Sequence, residues 1–87
     1  MSDQATMTAA VNLALLRRLT ADGGARRLRT RNALSLAEVA RAVGVTAPSV
    51  WRWEHGEQRP RGDAAARYAA LLAELAALDP DGPDARD

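Results

Sequence analysis

The sequence contains no cysteine, which excludes a disulfide staple and any thiolate zinc site. Histidine occurs once, at His55, so there is no second imidazole for a metal centre, and no metal or cofactor is expected. No run of about 18 apolar residues occurs, and the N-terminus lacks the basic-then-apolar pattern of a signal peptide. The expectation is a cytoplasmic protein with no membrane partner. There is no glycine-rich phosphate loop and no nucleophile–histidine–acid set, and 87 residues leave little room for a pocket-sized core, so an enzyme is not expected. Lysine is missing too: every basic side chain is arginine. Arginine suits phosphate forks, but a GC-rich coding bias produces the same skew, so the choice carries little weight.

What remains is one small domain, too short for two independent cores and dependent on helix packing, with dimerisation as a further source of stability. The net charge of +1 conceals a division along the chain. Residues 17–67 carry eleven arginines against five acids, a balance of +6, whereas residues 74–87 carry five acids against Arg86, a balance of −4. A basic body is the electrostatic footprint of a nucleic-acid binder, although a solvated arginine-rich surface gives the same count.

The chain is organised around residues 35–56. Leu36, Val39, Ala40 and Val43 fall at i, i+3, i+4, i+7, one face of a helix. Ser35 and Glu38 form a capping box at its start, and Gly44 suits a left-handed stop at its end. Thr46 caps a second helix with Pro48 in its first turn, and that helix runs to Trp53 or Glu54 and ends before Gly56. Two short helices joined by a tight turn are the plan of a DNA-reading helix-turn-helix.

On the second helix Val50, Trp53 and Glu54 share one side, with Trp53 expected in the core and Glu54 paired to an arginine of the domain. Pro48, Trp51, Arg52 and His55 lie opposite, with Ala47 and Ser49 at the margins. Small residues at the helix start allow close approach to a groove, and an arginine can bond guanine O6 and N7 together. The candidate base contacts are therefore Ala47, Pro48, Ser49, Trp51 and Arg52, with Arg52 foremost. Trp51 fits a sugar–phosphate edge or a thymine methyl, and equally fits packing on a neighbouring loop or a dimer mate. Ser35, Thr46, His55, Arg59 and Arg61 are the candidate phosphate contacts, the last two on the turn-rich loop after Gly56.

Taken together, Leu28-Arg29, Leu34-Ser35, Glu38-Val39-Ala40, Gly44-Val45-Thr46, Val50, Arg52-Trp53-Glu54, Gly56 and Pro60 resemble the lambda-repressor-like (XRE/Cro/C1-type) helix-turn-helix family. The resemblance covers about residues 25–69 without a gap. It implies sequence-specific binding of double-stranded DNA, with the second helix of the motif in the major groove, commonly by a repressor acting as a dimer. Leu36 stands where that family often has a glutamine on the phosphate backbone, and Ala33 where it often has a turn glycine.

The flanks complete an all-α bundle of about five helices, lambda-repressor-like. Residues 1–7 read as a flexible start, and the domain spans 8–78. Thr8 caps a helix to Ala21 with Val11, Leu15 and Leu19 in one stripe and Leu13 and Leu16 on another side. Gly23-Gly24 breaks it, and a helix to Asn32 follows, with Arg26, Arg27, Arg29 and Arg31 mostly outward. Asp63 caps a long last helix, Ala64 to Leu78, pairs with Arg67, and precedes a stripe of Tyr68, Leu71, Leu72, Leu75 and Leu78. Residues 79–87, with Pro80, Gly82, Pro83 and four aspartates, read as a disordered acidic tail. The surplus apolar surface on residues 8–21 and 64–78 suggests a homodimer through either or both. It also supports the alternative of a protein-interaction module, such as an antitoxin or phage regulator with a protein partner. A DNA-bending recombination accessory factor would use the same reading helix.

Overall fold

The computed structural model describes residues 2–78, which form five α-helices: α1 Ser2–Ala21, α2 Gly24–Arg31, α3 Leu36–Val43, α4 Ala47–Glu54 and α5 Gly62–Leu78. No strand occurs among the described residues, so the chain is all-α as the sequence predicts. The acidic tail expected over 79–87 lies outside the described residues.

Helix α1 begins at Ser2 rather than at a Thr8 cap, so residues expected to form a flexible start are helical. No glycine or proline interrupts this stretch, alanine and methionine are strong helix formers, and Asp3 in the first turn complements the helix dipole. Of the two apolar sides expected on this helix, the packed one is centred on Leu16. Leu16 is buried, with Leu13 and Leu19 against the core, while Val11 is 67% exposed. Helix α1 lies on both α5 and α2, and that two-sided seat selects Leu16 over Val11. The chain then turns sharply at Asp22-Gly23. A Cβ on Gly24 would sit 2.7 Å from Leu19 Cδ2 and 2.8 Å from Asp22 Oδ1, so glycine lets α2 start close against α1 without displacing those side chains.

Helix α5 is the spine, touching α1, α2 and α3. It buries Ala65, Tyr68, Ala69, Leu72 and Leu75, whereas Leu78, expected in the stripe, is exposed at the helix end. It begins at Gly62, which puts Asp63 in the first turn instead of at the cap. Arg67 does not turn back to Asp63. Its Nε–H donates to the Val43 carbonyl at 2.7 Å, satisfying one of the carbonyls that the end of α3 leaves open. A carbonyl at the negative end of a helix dipole is a better site for that guanidinium than a solvated carboxylate.

Candidate nucleic-acid interface

Local chemistry fixes the geometry of α3, the turn and α4. The Ser35 hydroxyl accepts from the Glu38 N–H at 3.0 Å, and the Ser35 N–H donates to Glu38 Oε1 at 2.8 Å, completing the capping box. The bond from the Ser35 backbone N–H, helped by the nearby Ser35 hydroxyl, holds the Glu38 carboxyl below its ordinary range. Gly44 ends α3 at φ 86°, in the left-handed region, with its N–H on the Ala40 carbonyl. Thr46 caps α4 by accepting from the Ser49 N–H, and its hydroxyl also meets the Ser49 hydroxyl at 3.0 Å.

With the turn set, α4 can face only one way. Val50, Trp53 and Glu54 are buried, and Pro48, Trp51, Arg52 and His55 are exposed. Two contacts lock the inner side. The Arg29 guanidinium grips the Glu54 carboxylate from α2, Nε to Oε2 at 2.6 Å and Nη2 to Oε1 at 3.0 Å, while Nη1 donates to the Leu34 carbonyl. Bonding to Glu54 keeps the Arg29 cation more firmly protonated than a free guanidinium. Trp53 packs on Tyr68 of α5 with ring centroids 4.8 Å apart. The Tyr68 hydroxyl is buried with no hydrogen-bond partner among the described residues, and burial pushes its ionisation well above the ordinary tyrosine value.

The outer side carries its own order. His55 stacks on Trp51 with ring centroids 3.8 Å apart and planes 17° from parallel, and its Nδ1 lies 2.9 Å from the Trp51 carbonyl. A carbonyl only accepts, so Nδ1 is the donor in this contact and Nε2 is left at the exposed edge of the ring. Beside this stack, Leu36, Ala47, Pro48, Trp51 and Arg52 line a shallow notch of about 500 Å³. After α4, the loop carrying Arg59 and Arg61 forms one wall of a groove of about 1130 Å³, and α1 supplies the other with Arg17 and Thr20.

A family model described as a helix-turn-helix domain matches residues 25–79, more than half of the chain. The chain belongs to the helix-turn-helix family. No curated protein and no solved structure matches it. The helix-turn-helix domain is a DNA-binding one, and no helix among the described residues is long and apolar enough to cross a membrane.

Within this helix-turn-helix, the candidate base contacts share one element and are not equally available. Pro48, Trp51 and Arg52 are exposed, Ala47 and Ser49 half-buried, and the Ser49 hydroxyl is engaged by Thr46. The candidate phosphate contacts are all exposed but dispersed: Ser35 and Thr46 at the two helix caps, His55 at the end of α4, and Arg59 and Arg61 on the loop. Both cap hydroxyls already accept a backbone N–H; Ser35 keeps a proton to donate, whereas the Thr46 hydroxyl is also bonded to that of Ser49. Arg29, expected outward, is turned inward onto Glu54. Sequence reasoning missed two lining residues. Arg17 faces the loop arginines only because α1 folds back across the domain, and no local pattern announces that. Leu36 packs against the core as its spacing predicts and also lines the notch; an apolar residue opening the helix near Ala47 and Pro48 is the available signal.

Proposed function

We propose that this protein binds double-stranded DNA sequence-specifically as a small cytoplasmic transcriptional regulator of the lambda-repressor-like (XRE) type. Its action is that of a repressor, and its role is binding rather than catalysis. The observation that carries this reading is the division of α4: an inner side fixed by Val50, Trp53 and Glu54, and an outer side presenting Pro48, Trp51, Arg52 and His55. In the major groove, Arg52 reads a guanine through O6 and N7, and Ser49 reaches a neighbouring base or phosphate. Ser35, Thr46, His55, Arg59 and Arg61 hold the backbone, which fixes register and makes affinity fall with salt.

The protein acts as a homodimer on a two-fold operator. Support comes from Met7 and Val11 on the outer side of α1 and Leu78 at the end of α5, large apolar side chains left in solvent. The same surface favours the second reading, a regulator whose α1 engages a different protein. The deciding experiment is selection of bound sites from random DNA at about 0.15 M ionic strength. One motif repeated with two-fold symmetry at about 10 bp supports the dimeric operator reading. Absence of any preferred sequence refutes it, and a monomeric mass in solution refutes the homodimer.

A further inference from the structure

The outer side of the reading helix is largely apolar at its N-terminal end, where a shallow notch opens. Leu36, Ala47, Pro48 and Trp51 line it, with Arg52 as its one charged residue and no acid among them. The side chains of Leu36, Ala47 and Pro48 have no hydrogen-bonding group, and proline has no N–H either. The Trp51 carbonyl is already occupied by the backbone N–H of His55 at 3.0 Å and by the His55 ring. Away from Arg52 and the Trp51 indole N–H, a base edge offering O6, N7, O4 or an amino group to the patch of Leu36, Ala47 and Pro48 would lose water and gain no side-chain partner, which is unfavourable. Among the four bases, the major groove presents a single apolar group, the C5-methyl of thymine.

We propose that the notch receives the C5-methyl group of a thymine, on a base pair next to the guanine read by Arg52. The inference rests on the DNA-binding reading above and narrows it to a thymine-containing step. Three features favour duplex DNA over an apolar protein segment as the occupant. The rim is cationic and has no acid to repel a phosphate backbone. The notch opens beside the first turn of α4, where the helix dipole is positive. Its tryptophan wall is pre-set by the stack on His55, so little side-chain freedom is lost when a base edge arrives. Ala47 and Pro48, poor as hydrogen-bonding readers, thereby acquire a reading role as the floor of a methyl site.

The test removes the methyl from the DNA and leaves the protein intact. On the duplex obtained by site selection, each thymine is replaced in turn by deoxyuridine, and affinity is measured by fluorescence anisotropy at fixed salt. One thymine per half-site is expected to lose about fourfold in affinity, the equivalent of one buried methyl-sized group at about 0.8 kcal/mol. Trp51→Ala is expected to bind more weakly overall and to bind the thymine and deoxyuridine duplexes alike. If the site is preferred but no replacement changes affinity by more than about twofold, the methyl site is overturned and DNA reading stands. If the methyl effect persists in Trp51→Ala, the methyl is read elsewhere and the assignment fails. If no duplex is preferred at all, both readings fall together.

Discussion

Arg29 and Glu54 form a two-pronged ion pair between α2 and the last turn of α4, with the Glu54 side chain 1% exposed and that of Arg29 12% exposed. It ties the end of the reading helix to the rest of the domain. Removing one partner strands the other charge away from water. Glu54→Ala is therefore expected to lower unfolding free energy by about 3–5 kcal/mol in urea denaturation. The double variant Arg29→Met, Glu54→Leu is expected to recover much of that loss, since a packed apolar pair can match a buried ionic one. A loss in the double variant equal to the sum of the losses of Arg29→Met and Glu54→Leu alone would show that the charges act separately.

Ala33 adopts φ 56°, the one non-glycine residue with positive φ among the described residues. The left-handed region costs an L-residue about 1–2 kcal/mol, and glycine costs about 0.4–1 kcal/mol through unfolded-chain entropy. Ala33→Gly is expected to raise stability by up to about 1 kcal/mol and the melting temperature by several degrees. A lower melting temperature would mean that the Ala33 methyl makes a compensating contact.

Arg52 and Arg61 are both exposed, on α4 and on the following loop, and are expected to fail differently. Arg52→Ala is expected to relax preference at one base position, at a cost of about 1–3 kcal/mol. Arg61→Ala is expected to weaken binding to every sequence and reduce the salt slope by about one. Titrations of matched and scrambled duplexes at several salt concentrations separate the two. Equal loss on all sequences for Arg52→Ala would reassign it to phosphate.

Tyr68 is buried on Trp53 with its hydroxyl unpartnered. Removing a buried, unpaired hydroxyl relieves a desolvation cost, so Tyr68→Phe is expected to leave stability unchanged or raise it by about 1 kcal/mol. The ionisation of Tyr68 is raised in the fold, so its contribution is complete below the ordinary tyrosine value near 10 and is lost as pH climbs beyond it. The wild type is expected to lose stability above about pH 10 more steeply than Tyr68→Phe. Identical alkaline limbs in chemical denaturation would place the phenol in contact with water.

Much of this architecture is legible along the chain because it is decided locally. The Ser35–Glu38 box, the Gly44 stop and the Thr46 cap each depend on neighbours within a few residues, and each forms where spacing predicts it. The split of α4 follows from 3.6-residue periodicity alone. The same reasoning failed where a side chain had a choice of distant partners. Arg67 chose the end of α3 over Asp63; Glu54 found the arginine partner expected of it, but in Arg29, whose spacing points outward; and α1, apolar on two sides, turned Leu16 inward because α5 and α2 both lie against it. Local spacing carries no information about which of several arginines will find the buried carboxylate of Glu54.

Trp51 and Trp53 stand two positions apart with opposite surroundings, 40% and 5% exposed. The chain therefore holds two built-in optical probes, one wet and one dry. A dissolved quencher such as iodide reaches the emission of the first while the second keeps glowing until the fold opens. Docking of a macromolecule on the outer edge of α4 shields the wet indole alone, and unfolding releases the dry one. Engagement and melting thus give separate signals without any attached dye.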